Sequence, residues 1–345
     1  MASAIALPMS SDDPLIIWAI SDGRRGMENQ VLGLAEAIAR QTPAQIFTKR
    51  VAISAPFDKL PRALWGDPFQ RLAPSSDRLD MLPHGTGPDL WIACGRRTVP
   101  LTMAVKKMPA APRPFTIQTQ DPKADDEAFD LIIPPLHDML RGPNIIPMVG
   151  APNRLTAQRL EQDAAALERA LPPLPQEKVA MLLGGDSKDF RLTDDCLSSM
   201  IEKCRLLLKS GKGLLISPSR RTGEKVVTTL REQLPHEAIW IWDGHPIGSL
   251  ENPYFGILGL ASRVLVTEES TNMISDAAFT GKPIHLLPLK GGAAKWTRFQ
   301  DQLTQKGILR PTADIDEVWS YTPLRETDRV AEDILARYFH QLAEF

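Results

Sequence analysis

Arg263 to Lys290, RVLVTEESTNMISDAAFTGKPIHLLPLK, reads as strand, short polar turn, helix, glycine stop and strand. Arg263 to Thr267 is apolar and β-branched at its centre, the signature of a strand covered on both faces of a parallel sheet. Ser270 and Thr271 are good N-caps, Asn272 to Phe279 is the expected helix, Gly281 stands where a C′ glycine belongs, and Pro283 stops the helix from continuing. Ile284 to Leu287 supplies the next strand. A helix that starts just beyond the carboxyl end of a parallel strand presents unpaired N–H groups and the positive end of its dipole, which suits a phosphate. Asp276 lies about one turn beyond Asn272 on the same face, where a carboxylate can accept hydrogen bonds from ribose hydroxyls. The same residues also fit an ordinary capped βαβ unit with a solvated acid.

Outward from this stretch the grammar recurs. In the first half, Pro14 to Ile20 reads as a strand, SDGRRGMENQ as its turn and VLGLAEAIAR as a helix. Leu90 to Ala93 is a strand and CGRRT leads into a helix near Thr98; Phe115 to Thr119, Asp130 to Ile133 and Asn144 to Val149 are further strands. Ala157 to Ala170 is helical, and PPLPQ reads as an extended linker. In the second half, strands at Val179 to Leu183, Gly213 to Ser217 and Ala238 to Trp242 alternate with helices beginning near Thr193, Lys225 and Phe255. Strands alternating with helices mean parallel, doubly wound sheets. The expected fold class is therefore α/β, two tandem Rossmann-like parallel-sheet domains facing a cleft at the carboxyl ends of their strands. The expected divisions are a first domain at 1–155, a linker region at 156–176 and a second domain at 177–326, with an amphipathic helix at 327–345 packing back on the first.

The 345 residues suit two domains of ordinary size, each able to bury a core. A net charge of −2, with charges spread along the chain, excludes a nucleic-acid binder that works by bulk electrostatics. The three cysteines, Cys94, Cys196 and Cys204, are scattered without a CxxC pair, so neither a metal site nor a disulfide framework is expected. No apolar run reaches the roughly 18 residues that span a bilayer, and the N-terminus carries no leader-like pattern. A cytoplasmic protein is expected, peripheral on the inner face of the membrane if one segment binds lipid. That segment is Pro56 to Leu72, PFDKLPRALWGDPFQRL, where Lys59, Arg62 and Arg71 interleave with Phe57, Leu64, Trp65 and Phe69. Its alternative is a proline-broken helix packed on the first domain.

Four turns in the second domain fall at strand carboxyl ends and are rich in donors. Gly184, Gly185 and Ser187 form the first, where glycines let backbone amides approach a phosphate closely. Ser219, Arg220, Arg221 and Thr222 form the second, where adjacent arginines can clamp a diphosphate. The third is the loop from Trp242 to Tyr254, and the fourth runs from Glu268 to Asp276 and holds Ser270, Thr271 and Asn272. Lys290 stands beside glycines near the same edge. In the first domain no GxGxxG, P-loop or GxSxG motif occurs. Asp22, Glu28, Asp121 and His137 are the titratable groups at its strand ends, and Asp22, Glu28 and His137 are the candidate general bases.

These blocks, SDGRRGMENQVLGLAEA, ACGRRTVP, TIQTQDPK, FDLIIPPLHD, LLGGDSKDF, ISPSRRT, the stretch from NPYFG to LLPL, and KWTRF, occur in an order that resembles the mitochondrial fission "elongated mitochondria" family and its bacterial relatives. The resemblance runs from about Ile17 to Pro311. It implies a fold similar to GT-B glycosyltransferases, in which the second domain holds a nucleotide sugar and the first the acceptor. On that resemblance Gly184 to Ser187 is the diphosphate turn, Ser270 to Asn272 the phosphate-facing helix start, and Asp276 the ribose-binding carboxylate, one methylene shorter than the usual Glu. The implied activity is metal-independent transfer from a nucleotide-diphosphate sugar, a substrate rather than a cofactor, to a lipid-linked or envelope acceptor. The alternatives are a non-catalytic adaptor in membrane remodelling and a nucleotide-sugar 2-epimerase.

Overall fold

Strands that are apolar on both faces must be covered on both faces, and this chain stacks them into two parallel five-stranded sheets. In the computed structural model, residues 13–79, 87–109 and 113–343 are described. They fall into two compact units, the described residues up to 154 with those from 325 on, and residues 155–324.

The first unit holds β1 (Leu15–Ser21), α1 (Arg25–Ala39), β2 (Ala44–Arg50), β3 (Leu90–Cys94), α2 (Val99–Lys106), β4 (Phe115–Thr119) and β5 (Leu131–Ile133). Its sheet runs β2-β1-β3-β4-β5, all parallel, so the strand order reverses direction between β1 and β3. Ligands of open α/β sheets bind at such a switch point, outside the carboxyl ends of the strands. At the amino ends of β4 and β5 the Asp130 side chain is buried and accepts from Arg113, Lys106, and the amide and hydroxyl of Thr116. Burial alone would raise this acid, but those hydrogen bonds outweigh it and hold the carboxyl at about 2.

The structure departs from the expected first unit in four places. Helix α1 begins at Arg25, so most of SDGRRGMENQ is helix; its N-cap, Arg24, makes no side-chain cap hydrogen bond, and no capping signal marks the start. The edge strand β2 was not anticipated, because AQIFTKR is half exposed and lacks an apolar run. Asn144 to Val149 forms only isolated parallel bridges, Ile132 to Ile145 and Pro135 to Met148; Pro147 has no N–H to extend a ladder. The segment 56–72, whose alternative reading is a proline-broken helix, holds no α-helix. It folds as two short 3-10 turns, Arg62–Leu64 and Phe69–Arg71, with Trp65 buried and the Arg71 guanidinium 4.2 Å from the Phe57 ring centroid.

The second unit holds α3 (Ala157–Ala170), β6 (Lys178–Leu183), β7 (Phe190–Arg191), α4 (Asp194–Lys209), β8 (Gly213–Pro218), α5 (Glu224–Gln233), β9 (Ile239–Ile241), α6 (Tyr254–Leu260), β10 (Arg263–Thr267), α7 (Thr271–Phe279), β11 (Ile284–Leu287), β12 (Lys290–Gly291) and α8 (Ala294–Gln305). The parallel sheet runs β11-β10-β6-β8-β9, and β7 pairs antiparallel with β12. Counted in chain order from the β9 edge this is 3-2-1-4-5, with the switch point between β6 and β10. The stretch 156–176 is more than a linker: α3 belongs to this unit and packs on α6. The loop after β12 leads into α8, a helix the sequence reading stopped short of.

A final helix, α9 (Glu326–Ala343), completes the first unit as expected, burying Val330, Ala331, Ile334 and Tyr338 in one core with Leu34 and Ile38 of α1. Among the described residues no helix is long and apolar enough to cross a membrane.

Candidate functional site

At the second unit's switch point the turn after β6 meets the turn after β10. Gly184 N–H donates to Thr267 Oγ1 at 2.8 Å and Gly185 N–H to Glu269 Oε1 at 2.9 Å. The turn after β8 closes over them: the Ser219 and Thr222 hydroxyls donate to Gly184 O at 3.1 and 2.6 Å, and Arg221 Nη2 donates to Glu269 Oε1 at 2.9 Å. Both glycines are needed for this approach. A Cβ on Gly184 would stand 1.7 Å from Glu269 Oε1, and one on Gly185 would stand 2.0 Å from Arg221 O.

The hub of the knot is Glu269, which the sequence reading did not single out. Its side chain has 0% exposure, and its Oε2 has no hydrogen-bond partner among the described residues. A buried carboxylate is costly unless paired, and Arg221 and the Gly185 amide supply the pairing. The signal that could have found it is an acid at the second position beyond a buried strand and just before a helix cap. The expected diphosphate turn is thereby revised, since both glycine amides are already used inside the chain.

Of the other second-unit candidates, Ser270 caps α7 by accepting the Met273 N–H. Thr271 and Asn272 form the first turn, where N–H groups have no partner within the helix. Asp276 is 9% exposed and accepts from Tyr254 Oη at 3.0 Å. Burial pushes its carboxyl up to about 7, with the tyrosine hydrogen bond opposing only in part. Arg220 is exposed and meets no hydrogen-bond or ion-pair partner among the described residues. Ser187 is turned to its own loop, accepting from the amides of Asp189 and Phe190, and Lys290 is exposed on β12.

The first-unit candidates are less alike. Asp22 follows β1, and its carboxylate accepts the Arg24 amide and pairs with Arg24 Nε at 3.4 Å. Glu28 is gripped by Arg50 through two hydrogen bonds of 2.7 and 2.9 Å. That grip, with further arginine charge and against the effect of burial, holds Glu28 below the usual carboxylate range and makes it a weak base. His137 is buried in the short turn Leu136–Asp138. The Cys94 and Cys204 thiols are buried and pushed up to about 12, so neither is a nucleophile at neutral pH.

The same unit contains a pocket of about 450 Å3 at the carboxyl ends of β3 and β4, lined among others by Gly95, Arg96, Gln118 and the loop Thr119 to Lys123. Arg62, 34 residues before Arg96 in the chain, also lines it, donating to Pro122 O at 2.8 Å and Lys123 O at 2.7 Å. One basic residue of the segment suspected of lying on a membrane is thus turned into this pocket.

Comparison with known proteins agrees with the architecture. The structure of UDP-GlcNAc 2-epimerase from Methanocaldococcus jannaschii superposes with a TM-score of 0.54 at 12% identity, covering 93% of this chain and 99% of that one. A putative UDP-N-acetylglucosamine 2-epimerase from Listeria monocytogenes gives the same TM-score and identity, covering 95% and 90%. At this identity the likeness is one of fold: two parallel-sheet α/β domains of the GT-B kind. In sequence, the chain is 26% identical over 275 residues to the mitochondrial fission protein ELM1 of Arabidopsis thaliana, a match spanning 72% of this chain and 63% of the plant protein. It is 29% identical over 362 aligned positions to the protein RP120 of Rickettsia prowazekii, covering 92% and 97%. Residues 25–338 match the family model described as mitochondrial fission ELM1, and the chain belongs to that family.

Proposed function

We propose that the second unit binds a nucleoside-diphosphate sugar at the edge where β6, β8 and β10 end, and that the protein transfers the sugar to a lipid-linked or envelope acceptor. The observation that carries this reading is Arg220. It is an exposed guanidinium without a partner among the described residues, beside an Arg221 already fixed by Glu269, on the turn after β8. The first turn of α7 opens two strands away, about 10 Å across the sheet. Arginine and helix N-terminus together supply the positive potential that a departing diphosphate needs, without calling on a metal. Asp276 stands one turn further along α7 for the ribose. Asp22 or His137 is the better candidate to take the acceptor proton, since Glu28 is tied to Arg50. A lipid-borne acceptor would bring the protein to the inner face of a membrane.

A second reading is favoured by the Glu269 knot itself. Internal use of both glycine amides and of Arg221 fits an adaptor that keeps the fold for stability, in line with the plant relative's name as a fission protein. Thermal-shift titration with UDP, GDP, ADP, CMP and UDP- and GDP-sugars separates the two, because a ligand that binds only the native state raises the melting point. One base giving a saturable shift, weakened about tenfold in Arg220→Ala, supports transfer. No shift with any of them removes the sugar-nucleotide reading. Turnover of a sugar donor with no acceptor present would assign 2-epimerisation instead.

A further inference from the structure

We propose that the first-unit pocket between Arg62 and Arg96 is a binding site for a phosphoryl anion, the charged group of a second ligand. This deepens the transferase reading by giving an anionic acceptor a seat, and it rests on that reading only for the word acceptor.

The charges lining the pocket do not balance. Arg62, Arg96 and Lys123 face it, against one acid, Asp121, which is already paired with Lys123 and also accepts the Lys123 amide at 2.8 Å. Arg62 is fixed in place, but by the neutral carbonyls of Pro122 and Lys123, which orient a guanidinium without cancelling its charge. Arg96 has no hydrogen-bond or ion-pair partner among the described residues. The two guanidiniums are near enough to act on each other: burial first, and then the Arg96 charge, lower the Arg62 pKa. Two like charges held together, one of them partly desolvated, cost free energy that a bound dianion returns.

The backbone adds to this. Gln120 and Lys123 both have positive φ, 65° and 51°, a conformation that side-chain-bearing residues rarely adopt and that collects at ligand sites. Val99, the first residue of α2, also lines the pocket, so the positive end of that helix adds to the potential of the arginines. A pocket of about 450 Å3 is far larger than one phosphate, so the anion is the head of a larger molecule. Phosphoryl groups of this kind come from soluble phosphate esters or from lipid headgroups, and Leu64, 61% exposed two residues from Arg62, suits the second source.

The test uses the full chain with two probes: inorganic pyrophosphate followed by calorimetry, and co-sedimentation with phosphatidylcholine vesicles with or without phosphatidic acid. Arg96→Ala is the variant, since an exposed side chain without partners can be removed with the melting temperature unchanged. Both probes are applied to chains already carrying Arg220→Ala, so that the diphosphate edge of the second unit does not contribute; saturable binding of pyrophosphate or of phosphatidic acid vesicles, weakened at least about tenfold when Arg96→Ala is added, is the expected result. Pyrophosphate binding identifies a soluble phosphate ester as the source, and vesicle binding alone identifies a headgroup. Absence of binding to both probes, or binding that Arg96→Ala leaves intact, overturns the proposal. Loss of the nucleotide shift would remove the transferase reading and leave this site standing.

Discussion

The two sheets end in edges of the same architectural kind and opposite chemistry. After β6, β8 and β10 the second unit has spent most of these groups on itself and leaves Arg220 over: Glu269 takes Arg221 and the Gly185 amide, while Ser219 and Thr222 take the Gly184 carbonyl. After β3 and β4 the first unit leaves two guanidiniums without an anion, two residues with positive φ and an open pocket. A strand end is therefore not a site because of where it lies. It is a site to the extent that its donors and charges remain unspent. Glycine shows the distinction well, because Gly185 and Gly95 both follow buried strands and meet different surroundings.

The sharpest way to break this comparison is Gly185→Ala. Its Cβ would stand 2.0 Å from the Arg221 carbonyl, and backbone cannot swing aside as a side chain can. A loss of about 4 kcal/mol is expected in chemical denaturation, with nucleotide binding lost alongside. A loss under about 1 kcal/mol would mean that the knot is loose and that the Gly184 and Gly185 amides are open to a ligand after all.

Next in size is a dependence on pH at Asp276. Folded, its carboxyl holds a proton up to about pH 7; unfolded, it releases it near pH 4. Between those values the folded state binds more protons, so this group makes stability fall as pH rises through the window and adds no further change above it. Asp276→Asn removes that fall. The variant should therefore gain on the wild type by about 3 kcal/mol between pH 4.5 and pH 8, read from paired denaturation curves. A difference that does not move with pH would show the acid ionised in the fold, and the second-unit edge wetter than its burial indicates.

How much of this was legible in the sequence follows the range of the interactions. The α7 region was read nearly residue by residue, because Ser270, Gly281 and Pro283 act on their own neighbours. The two parallel sheets followed from apolar runs separated by helix-length spacers. What stayed hidden depended on partners far along the chain. Glu269 is defined by contacts 48 and 84 residues away. Arg62 lay in a segment whose basic and aromatic residues suggested a membrane face, and only its hydrogen bonds 60 and 61 residues on turn it into the pocket. The start of α1 was missed for the reverse reason: the helix begins without the capping signal that local reading depends on.

The smallest expected effect sharpens the comparison most, because it isolates space from strain. Gly95 has φ of +101°, so an L side chain there is strained whatever surrounds it, yet a Cβ would meet nothing nearer than Met27 at 3.8 Å. Gly95→Ala should cost only the backbone term, about 1–2 kcal/mol, no more than half the loss at Gly185. Equal losses at the two positions would mean that backbone conformation alone governs both, and the contrast between a filled edge and an open one would fail. If the losses differ as expected, the first unit keeps unfilled space beside Arg62 and Arg96, whereas at Gly185 the second unit's own backbone fills the corresponding space.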